Sequence, residues 1–198
     1  WKDKHTHIDV YGYYPFANPE SIDDYQFEVQ KDQSKASEEG DMGGYEASDF
    51  LWGKVADVAP TTSVIRLLLS HRMSNAKVTL VKGSGFTDEE WANVEKIVLI
   101  ANVARKASIN LANGEVKTAG SVENTATIPS RNNDEWRTIV IPQTIPAGTT
   151  LFSITIGGVP YKFTNKEAFT YVAGKMMNFG IRVDKSTASG QYKLTLMS

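Results

Sequence analysis

Two runs near the end of the chain alternate apolar and polar residues with a period of two. In Asn178-Phe179-Gly180-Ile181-Arg182-Val183-Asp184 the apolar set is Phe179, Ile181 and Val183. After a Ser189-Gly190 turn, Tyr192-Lys193-Leu194-Thr195-Leu196 repeats the pattern. A period of two puts each set on one face of a strand. Antiparallel strands read this way when one side is buried and the other is wet. Phe152, Ile154 and Ile156 alternate likewise. These eight residues, Leu194 and Leu196 included, are therefore expected to face a shared core.

The same reading extends upstream. Strands are predicted at 64–71, 76–82, 96–103, 107–111, 115–118 and 136–142, then at 150–156 with a return at 159–164, and at 177–184 with 191–197. Asn113-Gly114 is the strongest short hairpin signal, and Gly157-Gly158 joins its two flanking runs in the same manner. One short helix is predicted at 88–95. Thr87-Asp88-Glu89-Glu90 forms a capping box at its start, and the helix would seat Trp91 on the sandwich.

Residues 1–60 differ from the rest. Tyr11, Tyr13 and Tyr14 precede Pro15, Phe27 and Val29 alternate over 26–30, and Phe50, Leu51 and Trp52 form an apolar run. Between them, 31–44 is polar and glycine-rich and is expected to be an exposed, mobile loop. Three or so strands are too few to close a sandwich. Proline cannot continue a ladder, so Ala59-Pro60-Thr61-Thr62 is the predicted boundary between a partial domain at 1–60 and a fuller one at 61–198. The chain opens on Trp1 rather than methionine, and a strand runs to its last residues. Both ends are expected to be cuts in a longer protein, leaving an open groove or unpaired edge near 8–14 and 48–58.

A net charge of −2 and a pI near 6.0 leave no electrostatic footprint for nucleic acid. Without cysteine there is no disulfide, no thiol nucleophile and no Cys-type zinc site. No cofactor motif is present: Gly83-Ser84-Gly85 lacks the lysine of a phosphate loop. His5 and His7 would share a strand face, but two histidines at an edge are expected to be simply exposed. Ser70 and His71, adjacent on a strand, point to opposite faces, the wrong geometry for a nucleophile and its base. The acids cluster at 23–24, 38–41, 88–90 and 134–135, in turns and at a helix start, where they serve solubility and the helix dipole. No catalytic constellation is expected. A set of aromatics remains: Trp52, Trp91 and Trp136, with Trp1 and the tyrosines, could form a sugar-stacking platform, although such residues in sandwiches are more often core or rim.

Several blocks occur together and in order. Ile8-Asp9-Val10-Tyr11-Gly12-Tyr13-Tyr14-Pro15-Phe16 is followed by Asp32-Gln33-Ser34, Ser48-Asp49-Phe50-Leu51-Trp52 and Leu69-Ser70-His71-Arg72-Met73-Ser74. Val140-Ile141-Pro142-Gln143-Thr144 and Gly158-Val159-Pro160-Tyr161 come later. Over nearly the whole chain this resembles the fimbrillin-like proteins of Bacteroidales, with their tyrosine-rich, DQS, SDLLW, FxHxMS, VPQT and GxxY blocks. The family's N-terminal signal with its lipobox cysteine is not matched.

The resemblance implies an all-β protein of antiparallel, transthyretin-like β-sandwich domains, the first of them incomplete here. It further implies a non-enzymatic shaft, tip or anchor subunit of cell-surface fimbriae, attached to the outer membrane through a lipid anchor absent from this chain. Its partners would be other subunits joined by β-strand donation, in adhesion to a host protein or glycan receptor. A carbohydrate-binding surface lipoprotein is the alternative reading.

Overall fold

A computed structural model describes residues 3–122 and 126–197. In chain order its strands begin with β1 (Ile8–Tyr14), β2 (Tyr25–Glu28), β3 (Leu51–Val58) and β4 (Ser70–His71). They go on through β5 (Ser74–Lys82), β6 (Lys96–Ile100), β7 (Lys106–Asn110) and β8 (Glu115–Ala119). β9 (Ser130–Asn132), β10 (Glu135–Val140), β11 (Gln143–Ile145) and β12 (Thr150–Ile156) follow. The last are β13 (Val159–Thr164), β14 (Phe169–Tyr171), β15 (Met176–Lys185) and β16 (Tyr192–Leu196). Two short helices, α1 (Gly44–Ser48) and α2 (Asp88–Asn93), interrupt them where one was expected.

Alternation builds the larger sandwich. In β5 the side chains of Ala76, Val78 and Leu80 are buried while Asn75, Lys77 and Thr79 between them are less so. β5 lies at the centre of a five-stranded sheet ordered β16-β15-β5-β10-β9. It pairs antiparallel with β10 and parallel with β15, Phe179 standing opposite Val78 and Ile181 opposite Leu80. The facing sheet is β13-β12-β6. Phe152, Ile154, Ile156, Val98 and Ile100 from it close the core over Ile181 and Val183. Phe179 and Leu194 pack at its margin. Leu196 is the exception: it stands 55% exposed at the edge strand. The register is right, and the departure is positional, since this end of β16 borders an open cleft rather than the opposite sheet.

A second core lies between the sheets β1-β3-β4 and β2-β7-β8. Phe50 stacks on Tyr13 and meets Phe27, with ring centroids 6.1 and 5.4 Å apart. Residue 60 does not separate the two cores. Phe27, Phe50 and Trp52 come from before it, whereas Met73, Ala107, Ile109, Leu111, Ile139 and Ile141 come from after it. β2 finds its ladder on β7, Phe27 opposite Ala107, some eighty residues downstream. Pro60 marks a local turn, and local turn chemistry carries no information about which sheet a strand will join. β10 and the residue after it tie the cores together: Trp136 and Val140 enter the first, while Ile139 and Ile141, one position out of phase, enter the second.

Two further expectations change. The strand predicted at 64–71 is a strand only at Ser70–His71. Upstream, the chain runs outside any ladder as a strap across the β1–β3 sheet, with Val64 and Leu68 86% and 85% exposed. Gly12 and Gly53 are directly opposite in that sheet, and the strap occupies the notch they leave. A Cβ at Gly53 would overlap the Leu68 carbonyl, and one at Gly12 would meet the Leu67 side chain. The polar stretch 31–44 is pinned rather than loose. Gln33 is fully buried, and its amide accepts from the Ile139 N–H at 2.8 Å and donates to the Ile139 carbonyl at 2.9 Å. A third bond reaches the Gln30 carbonyl. β9 pairs with β10 only as far as Arg137, so the Gln33 amide stands in for the ladder partner Ile139 would otherwise lack. The helix at 88–93, by contrast, begins as expected, with both capping-box bonds present between Thr87 and Glu90.

Candidate functional site

The tryptophans are the natural place to look for a stacking platform, and all three described ones are inside. Trp52, Trp91 and Trp136 are 7%, 9% and 4% exposed, so none offers a ring face to a ligand. Their polar edges are used internally. The Trp52 indole N–H donates to the Leu111 carbonyl at 2.7 Å, and that of Trp91 to Asp134 at 2.7 Å. Buried Lys96 completes the second arrangement, lying 4.1 Å from the Trp91 ring centre and 2.8 Å from the other Asp134 oxygen. The Arg131 guanidinium lies over Trp136. All three indoles bury a large apolar surface, and those of Trp52 and Trp91 satisfy their one donor inside the fold, which is a structural role. Trp1 lies outside the described residues.

The histidines divide. Among the described residues His7 meets only the exposed Asp57 carboxylate, at 2.8 Å. Among the described residues no group of three or more His, Asp or Glu side chains is arranged to hold a metal. His71 sits differently. Its Nδ1 is 2.8 Å from an Asp49 carboxylate oxygen, a partner twenty-two residues upstream that adjacency to Ser70 does not reveal. No hydroxyl is bonded to the ring among the described residues, so a charge-relay arrangement is not assembled.

This pair opens onto a pocket of about 170 Å3 beside the second core. α1 brings Tyr45, the turn after it Asp49, the start of β5 Ser74 and Asn75, and the segment before β15 Gly174 and Lys175. Met73 and Ile139 form its apolar floor and Met176 its rim. Burial holds the Tyr45 phenol above its ordinary pKa, so it is neutral, and its oxygen accepts from Asn75 Nδ2 at 2.5 Å. The Asn75 carboxamide oxygen is buried without a partner among the described residues.

A second concavity is almost wholly apolar. Phe163, Phe152, Phe179 and Phe169 form a chain of touching rings, at 4.8, 5.0 and 5.5 Å between centroids. With Leu151 and Leu196 they line a cleft of about 380 Å3 on the flank of the larger sandwich. The flank lies between two edge strands, β13 of one sheet and β16 of the other. It closes at one end, where the Tyr161 hydroxyl donates to the Tyr192 carbonyl at 3.1 Å, and splays open at the other.

The sequence profile of the fimbrillin-like family matches residues 1–195. The chain belongs to that family. No curated protein matches it. Among solved structures, the fimbrillin-like chain is similar to a candidate cell adhesion protein of Bacteroides uniformis, with 18% identity and a TM-score of 0.63 over 96% of this chain and 72% of that one. A second, from Bacteroides ovatus, gives 16% and 0.66 over 96% and 66%, and a third, from Bacteroides thetaiotaomicron, 18% and 0.58 over 96% and 71%. At such identities the likeness is one of fold: β-sandwich architecture built from antiparallel strands.

The blocks that carry the family resemblance prove to be joints. Ser48 accepts from the Gln30 N–H and donates to the Gly44 carbonyl, Asp49 holds His71, and Gln33 holds Ile139. Gln143 repeats the Gln33 device, accepting from the Ala104 N–H at 2.9 Å and donating to the Ala104 carbonyl at 3.0 Å.

Proposed function

We propose that this fimbrillin-like chain is a structural, non-enzymatic subunit or anchor or tip component of a cell-surface fibre, and that it joins its neighbours by accepting or donating a β-strand. The apolar cleft between β13 and β16 is the observation that carries this reading. Its walls are mainly phenylalanine and leucine, with Thr164, Asn165 and Lys166 beside them, and both strands beside it are sheet edges. An edge strand offers a row of unpaired backbone groups, and an added strand satisfies them while its alternate side chains fill the groove. β1 and β2, the outer strands of the smaller sandwich, present further edges of the same kind. In this reading the fibre stands on the outer membrane through a lipid anchor and acts in adhesion, as the family resemblance implies.

The test uses synthetic peptides carrying residues 62–71 and 190–198, titrated into the intact chain while thermal unfolding is followed. A strand that binds only the folded state stabilises it by about 2.7 kcal/mol at a hundredfold excess over Kd. The midpoint should rise with peptide concentration, and Leu196→Asp should abolish the rise if the cleft is the acceptor. A midpoint indifferent to both peptides, in a chain that stays monomeric at every concentration, would sink the strand-exchange reading.

A further inference from the structure

The pocket at Asp49 and His71 is not used by strand addition, and its chemistry is unlike that of the apolar cleft. We infer that it binds one neutral sugar unit of a glycan, the ring lying against the half-exposed Met176 and its hydroxyls meeting the polar wall. Three features select that class of ligand.

The first is charge. Asp49 contributes a carboxylate and Lys175 an ammonium, with His71 bonded to the former. The walls carry both signs, so neither an anion nor a cation is strongly preferred, and Asp49 would repel a phosphate. A metal ion would find one carboxylate and one histidine, fewer ligands than zinc or calcium takes.

The second is the supply of hydrogen-bonding groups. Asp49 has two acceptor oxygens, and among the described residues only the His71 Nδ1 side-chain group is bonded to them. The Tyr45 hydroxyl accepts from Asn75 and keeps its own hydrogen to donate. Lys175 takes part in no ion pair among the described residues and brings three donors. Whichever way the Asn75 amide is turned, one of its two heteroatoms lacks a partner among the described residues. Native proteins leave few buried polar groups unpaired, and each calls for an explanation. A ligand that both donates and accepts at neighbouring positions suits such a wall, and a polyol does so at every hydroxyl.

The third is shape. The floor is apolar while the polar groups gather at the sides, the usual composition of small-molecule sites. A volume of about 170 Å3 has room for a single ring with its hydroxyls, not for an extended chain. A sugar ring combines a C–H face with an equatorial belt of hydroxyls and meets both requirements.

The experiment is saturation-transfer NMR on the intact chain with a panel of methyl glycosides, with inorganic phosphate as the ionic control. At least one glycoside should give a saturable signal. Lys175→Ala and Asn75→Ala should each weaken it about tenfold, the loss of one hydrogen bond, with the thermal midpoint of Lys175→Ala unchanged. Trp136→Phe, a change in a buried ring, should leave it intact. Silence from every glycoside while the chain is folded would overturn the inference, as would binding indifferent to Lys175→Ala or saturation by phosphate alone. Each of these failures would leave the peptide titration, and the strand-addition reading it tests, untouched.

Discussion

Gln33→Leu should destabilise the protein by roughly 2–6 kcal/mol, although it replaces a polar side chain by an apolar one of similar size in a buried place. The reason is what it leaves behind. The Ile139 N–H and carbonyl are both satisfied by the Gln33 amide, and among the described residues no strand stands beside Ile139 on that side. A buried backbone group stripped of its partner costs about 1–3 kcal/mol, and there are two. Gln33→Glu should be no better, because a carboxylate cannot donate to the Ile139 and Gln30 carbonyls. Urea unfolding gives the stability change, and amide exchange at Ile139 reports the site itself. A loss under about 1 kcal/mol with Ile139 still protected would show that the strand does not depend on this side chain.

Ile181→Ala should cost roughly 2–5 kcal/mol, the range for deleting a buried aliphatic side chain together with the cavity it leaves. Ile181 is fully buried in β15, beside Leu80 on one strand and Leu196 on the other. For a chain of this length each kcal/mol lowers the thermal midpoint by about 2–4 °C, so a fall of about 4–20 °C is expected. Leu196→Ala is the contrast, a leucine from the same alternating pattern that stands more than half exposed. It should change stability by no more than about 0.5 kcal/mol, as surface substitutions usually do. Equal losses in the two variants would mean that the core does not lie where β15 and β12 face each other.

Strand identity was legible wherever one face is buried against a sheet. The periods in β5, β12, β15 and β16, and the capping box of α2, translate directly into local structure. Pairing was not legible. β2 is four residues whose ladder lies on β7, and no local property of Tyr25-Gln26-Phe27-Glu28 names that partner. The strap at 64–69 reads as a strand because its residues are apolar, yet the paired glycines beneath it let the chain lie across the sheet instead of extending it. Composition misleads at 31–44 for the complementary reason: the stretch is polar, but one glutamine amide can do the work of a backbone neighbour. The pocket was invisible because its walls come from 45–49, 71–75, 139 and 174–176. Asp49 and His71 each sit within a block that carries the family resemblance, and the distance between those blocks in sequence hides their contact. The tryptophans drew attention by residue type, and type alone does not say that an indole N–H is already spoken for.

The parallel alignment of β5 with β15 bears on how the chain reaches its native state. Every hydrogen bond of that pair joins residues about a hundred positions apart, and such non-local contacts require the closure of a long loop before they return any stabilisation. During synthesis, β5 emerges long before its parallel neighbour exists, and until then it is an apolar strand with one side bare. Folding of the larger sandwich is therefore expected to be completed only after β15, about a hundred residues downstream of β5, has been made. Throughout that interval the growing chain presents the kind of open edge that invites a partner from another molecule.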